Sequence, residues 1–110
     1  MIDERRRFER VSLPDSAKVY VADTQQKRLG PVVMIGRGGL LFKSETGFQV
    51  GSRVDFLLVD DSEGIKRPLN ALVRYNREGR IGIEFDALDP DAAVEVGVII
   101  GKYYSAEAHG

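Results

Sequence analysis

Residues 68–85 read PLNALVRYNREGRIGIEF, and this stretch decides the fold class. Apolar residues occupy every second position in both of its halves, which are joined by a polar connection, residues 76–79, that ends in glycine. The apolar positions are Leu69, Ala71, Val73 and Tyr75, and then Ile81, Ile83 and Phe85. A period of two is typical of half-buried strands, and a connection this short joins antiparallel neighbours. The stretch therefore predicts a β-hairpin.

The same alternation recurs in two earlier segments, residues 17–22 and 53–59, and two further strands are predicted between glycines at residues 30–35 and 40–44. With residues 68–75 and 80–85 they give six predicted strands, whose short connections favour an antiparallel meander or Greek key. The turn GRGG, residues 36–39, separates two of them, and its glycines allow positive φ or a close approach of the backbone to a neighbour. The sequence thus predicts a mostly β fold with a bend or a site at this turn.

The segment after residue 89 carries two competing periods. The first is the strand-like alternation of Val94, Val96 and Val98, and the second is the helical spacing of Ala93, Val96, Ile100 and Tyr103. The start signals favour a helix, because Asp89 can cap it, Pro90 fits the first helical position and Asp91 complements the positive helix end. We predict a C-terminal helix from residue 90 to about residue 104, although two internal glycines lower its propensity.

Composition limits the function classes. The 110 residues, 43% of them hydrophobic, suffice for one core and one domain. A net charge of -1 and a pI of about 5.8 give no global field that would attract nucleic acid or an anionic membrane. The absence of cysteine excludes disulfides and thiolate metal sites and is compatible with the cytoplasm. Since no apolar run could span a bilayer, we expect a cytoplasmic protein without membrane insertion, nucleic-acid binding or bound metal.

The N-terminus concentrates positive charge. Residues 1–14 are predicted to form a flexible arm that carries Arg5, Arg6, Arg7 and Arg10. Guanidinium groups are always charged and match phosphates, or the O6 and N7 edge of guanine, with two parallel hydrogen bonds. The arm therefore suits a compact anion, but neighbouring carboxylates nearly cancel its charge, so a solvated charge cluster is the alternative.

Three motifs taken together resemble the PilZ domain family. RRFER, residues 6–10, has the RxxxR form of the family's first ligand motif, and VVMIGRGGLLF, residues 32–42, is similar to the second, which runs Asp or Asn, any residue, Ser, two residues, Gly. Aligned on its last glycine, Met34 stands in place of the acid or amide, Gly36 in place of the serine, and Gly39 is kept. RIGIEFDALDPD, residues 80–91, resembles the closing barrel strand and the turn into a terminal helix.

The resemblance implies a six-stranded antiparallel β-barrel of PilZ type with a C-terminal α-helix, and a ligand, cyclic di-GMP, a bacterial second messenger. It assigns the phosphates and guanine Hoogsteen edges to Arg6 and Arg10, with Arg5 in support, and places Met34, Gly36 and Gly39 at the second motif. Met34 cannot accept a hydrogen bond as a carboxylate does. Gly36 lacks the hydroxyl, and Arg37 could add a charge from a new direction. A purely structural role for Met34 and Gly36 is equally compatible.

We therefore predict a single domain with an arm over residues 1–14, a barrel over 15–87, a terminal helix over 88–105 and a tail over 106–110. Its predicted function is that of a cyclic di-GMP receptor module, possessing no cofactor, which signals by ordering its arm and binding a protein partner. The alternative is an adaptor of the same fold that has lost the nucleotide. Catalysis is not expected, because the single histidine, His109, lies next to the end of the chain and no nucleophile has a base beside it.

Overall fold

The structure is a computed structural model that describes the backbone of residues 10–109 and the side chains of residues 10–104. Within these residues seven strands precede one helix: β1 (Arg10–Ser12), β2 (Val19–Ala22), β3 (Arg28–Gly36), β4 (Gly39–Lys43), β5 (Arg53–Asp60), β6 (Ile65–Arg77), β7 (Arg80–Phe85) and α1 (Pro90–His109). Each strand pairing is antiparallel. The predicted mostly β fold with a C-terminal helix is confirmed.

Six of the strands close into a barrel. Their order is β3, β2, β5, β6, β7 and β4, and β4 pairs again with β3. One inward-facing row of cross-strand partners shows how the core is built: each of its members is at most 5% exposed, and the row consists of Val11, Ile35, Leu40, Ile83 and Val73. Closure pairs the strand edges and encloses this apolar row.

The strand β1 lies within the stretch that the sequence predicts as an arm. It pairs with the end of β3, so that Arg10 is opposite Gly36 and Ser12 is opposite Met34. Val11 is buried and α1 packs against this strand. The sequence does not predict this strand, because three residues with one apolar side chain are too few to show an alternating pattern. Its hydrogen-bonding partner, β3, is also remote in sequence. Residues 1–9 of the predicted arm lie outside the described residues.

The strand β6 also exceeds its prediction, since it begins at Ile65 and continues through Pro68 to Arg77. Pro68 pairs with Leu57 of β5, while the pairing of β6 with β7 begins only at Ala71. Proline is tolerated where a strand has a neighbour on one side only, because the missing N–H then removes no ladder hydrogen bond on the open side.

The helix α1 begins as predicted: an Asp89 carboxylate oxygen accepts a hydrogen bond from the Ala92 N–H at 2.8 Å. Its buried face repeats at helical spacing and consists of Ala92, Val96, Ile99, Ile100 and Tyr103. The helix ends at His109, so that residues 106–109, predicted as a tail, are helical. In the described part of the chain, no helix combines the length and the apolar character needed to cross a membrane.

Candidate functional site

The outer surface of the barrel carries an apolar row next to the core row. Met34, Leu41, Gly82 and Tyr75 are partners in register across β3, β4, β7 and β6. Because side chains alternate between the two faces of a sheet, this row points away from the core. Gly82 forms its low point, since a Cβ there would lie 2.9 Å from Tyr75 Cβ and 3.6 Å from Leu41 Cδ1. The row is a shallow apolar floor with an exposed tyrosine on one side.

The glycine-rich turn, residues 36–39, stands at the edge of this floor. Gly39 is required for close packing, because a Cβ there would lie 2.1 Å from the Ile83 carbonyl oxygen. The Gly38 carbonyl accepts a hydrogen bond from the Phe85 N–H at 2.9 Å, which ties the turn to β7. Among the described residues, positive φ occurs at five positions outside this turn. Of the two predicted reasons for the glycines, the turn uses close approach and not positive φ.

The floor and the turn bound an open surface cavity of about 760 Å³. Four of the predicted site residues line it, namely Arg10, Met34, Gly36 and Gly39. Arg37, inside the turn, lines it as well, whereas Arg5 and Arg6 lie outside the described residues. The start of β1 and the β3–β4 turn, which are distant in sequence, thus meet at one cavity.

The cavity contains three polar residues that the sequence did not indicate: Arg74, Tyr75 and Glu84. Arg74 is the extra residue of a β-bulge, because Val73 pairs with Ile83 and Tyr75 already pairs with Gly82. Bulges redirect side chains, often beside functional sites. In the sequence Arg74 occupies an ordinary polar position of an alternating strand, so nothing in the pattern marks it.

Arg74 and Glu84 form an exposed ion pair, with 3.3 Å between Nε and Oε1 and side-chain exposures of 64% and 55%. Such a pair contributes little stability, because solvent screens it. Both groups therefore remain available to a ligand at small cost.

The cavity is locally basic although the chain is not. Among the described lining residues, three guanidinium groups, from Arg10, Arg37 and Arg74, and the carboxylate of Glu84 leave a formal charge of two positive units. An apolar floor with guanidinium groups around it suits a ligand that combines flat rings with phosphates. The described lining contains no serine, threonine, cysteine or histidine that could act as a nucleophile. No group of three potential metal ligands occurs among the described residues.

Solved structures with the same fold include PilZ domains. The PilZ domain of YcgR from Escherichia coli, solved with c-di-GMP, aligns with 91% of this chain and 92% of its own at 16% identity and a TM-score of 0.70. The PilZ domain of CeSA, from a cellulose-synthesizing bacterium, aligns with 89% of this chain and 97% of its own at 17% identity and a TM-score of 0.58.

A third structure, the Bacillus subtilis inhibitor of motility MotI, aligns with 92% of this chain at 14% identity and a TM-score of 0.63. The chain corresponds to only 50% of that protein. At these identities the likeness concerns the fold alone, and no curated protein sequence matches the chain. The sequence profile of the PilZ domain, however, matches residues 4–100. This match covers most of the chain, which therefore belongs to the PilZ domain family.

Proposed function

We propose that this domain is a receptor module for cyclic di-GMP. PilZ domains are a receptor family for this messenger. The observation that carries the proposal for this chain is the cavity itself, where Arg10, Arg37 and Arg74 surround an apolar floor. Cyclic di-GMP has two phosphates, which match the guanidinium groups, and two flat purines, which match the apolar floor.

Each part of the cavity has a role in this proposal. Arg10 and Arg6 of the first motif, with Arg5 before it in support, bind phosphates and guanine Hoogsteen edges through paired hydrogen bonds. Tyr75, which is 42% exposed, offers a ring face on which a purine stacks. Met34 contributes a polarizable apolar contact in place of the acid. Gly39 keeps the turn close to β7, which holds the cavity in shape.

Titration calorimetry with cyclic di-GMP tests the proposal. The wild-type chain should bind, and Arg10→Ala should lose about 2 kcal/mol, because a hydrogen bond to a charged group is removed. The matched control is Arg77→Ala, which removes an exposed arginine at the end of β6, outside the cavity lining. Absence of binding by the wild-type chain at moderate salt would overturn the receptor function.

The proposed output is a surface change that a protein partner reads. The strand β1 begins at Arg10, and Arg10 lines the cavity. A ligand that engages Arg10 and the arginines before it would order the arm over the cavity. Hydrogen exchange of residues 2–9 should slow when cyclic di-GMP is added, and unchanged exchange in the bound state would remove the arm from the mechanism.

The domain is proposed to act in the cytoplasm as a binding module without catalytic activity. Cyclic di-GMP should therefore be recovered intact after incubation with the protein. Hydrolysis above a protein-free control that a point substitution in this chain abolishes would contradict this part of the proposal.

The second candidate function is a protein-interaction adaptor that no longer binds the nucleotide. It is favoured by Met34 and Gly36, which bring neither a carboxylate nor a hydroxyl to the cavity. Two missing hydrogen bonds of about 1 to 3 kcal/mol each weaken binding by roughly two to four decades. The same calorimetry separates the two functions, since the adaptor gives no heat with cyclic di-GMP.

A further inference from the structure

The cavity contains one carboxylate among its described lining residues, that of Glu84. The other charged side chains there are arginines, which donate hydrogen bonds and accept none. A guanine presents acceptors at O6 and N7, which arginines satisfy, but its N1–H and its N2 amino group are donors and need an acceptor. Met34 offers only a weak thioether acceptor. Among the described lining residues, Glu84 is thus the strong side-chain acceptor available to a guanine.

The position of Glu84 leaves room for a ring. Its cross-strand partner on β4 is Gly39, so no side chain stands at the facing position. The floor next to it includes Gly82, which is the low point of the row, and Tyr75 follows on β6. A purine that stacks on Tyr75 therefore has its edge within the part of the cavity that Glu84 lines.

The ion pair with Arg74 orients the Glu84 carboxylate but leaves it able to accept hydrogen bonds from a ligand. The contact joins Nε to Oε1 at 3.3 Å, which is longer than the 2.7 to 2.9 Å typical of a strong charge-assisted hydrogen bond. It involves one of the two carboxylate oxygens, and more than half of each side chain is exposed. Since no described residue forms an ion pair with Oε2, this oxygen is available to a ligand, and Oε1 becomes available when Arg74 turns towards a phosphate.

We infer that Glu84 accepts hydrogen bonds from N1–H and the N2 amino group of a guanine, and that it takes over guanine selection in a cavity where position 34 carries no acid. The inference rests on the proposed function and adds a base-specificity residue to it. It also explains how the altered second motif is compatible with a guanine ligand. The carboxylate comes from β7, across the barrel surface from β3.

The experiment compares two ligands on three proteins by calorimetry. The ligands are cyclic di-GMP and cyclic di-IMP, which lacks the N2 amino groups, and the proteins are the wild type, Glu84→Gln and the control Glu45→Gln, an exposed residue outside the cavity lining. Wild type and control should prefer cyclic di-GMP over cyclic di-IMP. Glu84→Gln should weaken cyclic di-GMP binding about tenfold or more and abolish the preference, because its amide keeps one acceptor oxygen but turns an NH2 donor towards the second guanine donor.

The outcomes separate this inference from the proposed function. If the wild type binds neither ligand, the receptor function fails and the inference fails with it. If the wild type binds cyclic di-GMP and Glu84→Gln retains the same affinity and preference, the receptor function stands and the role of Glu84 is overturned. An equal loss for both ligands also overturns guanine selection. Because the Arg74 pair is exposed, thermal unfolding of Glu84→Gln should match that of the wild type.

Discussion

Gly39 and Ile83 approach so closely that the Ile83 carbonyl oxygen lies 2.1 Å from the place where a Cβ of residue 39 would be. The contact fixes the distance between β4 and β7 under the candidate site. An added methyl group has to displace backbone and not a flexible side chain, so any larger residue at position 39 strains the β4–β7 pairing.

Gly39→Ala should therefore lower the free energy of unfolding by about 1 to 3 kcal/mol or more, the usual cost of overpacking. Gly38→Ala is the matched control, because a Cβ at residue 38 meets nothing within 4 Å. Urea unfolding of both variants measures the difference. Equal stabilities would show that β4 and β7 separate easily and that the close approach is not required.

A second prediction concerns the attachment of α1. The Asp60 side chain is fully buried, and Lys102 Nζ lies 3.1 Å from Asp60 Oδ2 and 3.2 Å from Glu63 Oε2. Lys102→Met leaves the buried carboxylate without its cation, which should destabilise the domain by about 3 kcal/mol. Lys27→Met, at an exposed position, should change stability by less than about 0.5 kcal/mol. Similar urea midpoints for the two variants would contradict a structural role of the pair.

The same lysine predicts a pH dependence. Burial lowers the pKa of Lys102, but hydrogen bonds to Asp60 and Glu63 raise it by more, so the pKa lies above the ordinary value of 10.5. Because folding raises the pKa of Lys102, the protonated side chain contributes stability that is fully present below pH 10.5. This contribution is lost as the pH rises through the folded-state pKa. The stability difference between wild type and Lys102→Met should therefore shrink above pH 10.5, as urea titrations across this range would measure. A difference that stays constant to higher pH would count against the pairing.

Gly101 provides a stabilising prediction. It lies in the interior of α1, is exposed, and a Cβ there meets nothing within 4 Å. Gly101→Ala should raise the free energy of unfolding by about 0.5 to 1 kcal/mol, because alanine has the higher helix propensity. Gly51→Ala, at a φ of 93°, should destabilise instead, since alanine disfavours that backbone conformation. Thermal unfolding of the two variants should shift in opposite directions.

The contrast between α1 and β1 shows what the sequence could reveal about the fold. The helix was predictable because Asp89, Pro90 and Asp91 are local signals, and its burial pattern outweighs two glycines of low propensity. The three-residue strand β1 was not, because its partner Met34 to Gly36 is more than twenty positions away. Capping residues that are neighbours in sequence are enough to predict a helix start. The pairing of a short strand such as β1 depends instead on where the barrel brings distant segments together.

The residues of the candidate site likewise include some that the sequence could indicate and some that it could not. Arg10, Met34, Gly36 and Gly39 were indicated by motifs whose letters stand close together in the chain. Arg74 and Glu84 enter the cavity through a bulge in β6 and through the register of β7 against β4. A bulge shifts the register by one residue, and no local sequence pattern indicates it. The positions of Arg74 and Glu84 in the cavity could therefore be recognised only from the strand pairing in the structure.

The last prediction restores the second motif. Met34 lies on the cavity floor beside Leu41, and Gly36 is in β3 without a positive φ, so its backbone conformation is one that a serine can adopt. Met34→Asp with Gly36→Ser should tighten cyclic di-GMP binding about tenfold, because a carboxylate and a hydroxyl then accept hydrogen bonds from a guanine. Met34→Leu with Gly36→Ser is the matched control and should not reach this gain. The carboxylate introduced at position 34 would accept hydrogen bonds from the guanine as Glu84 does, so Glu84→Gln should lose less cyclic di-GMP affinity in the restored protein. A double-mutant cycle by calorimetry measures this coupling directly. Restored and control proteins with equal affinity would mean that position 34 does not face the bound guanine.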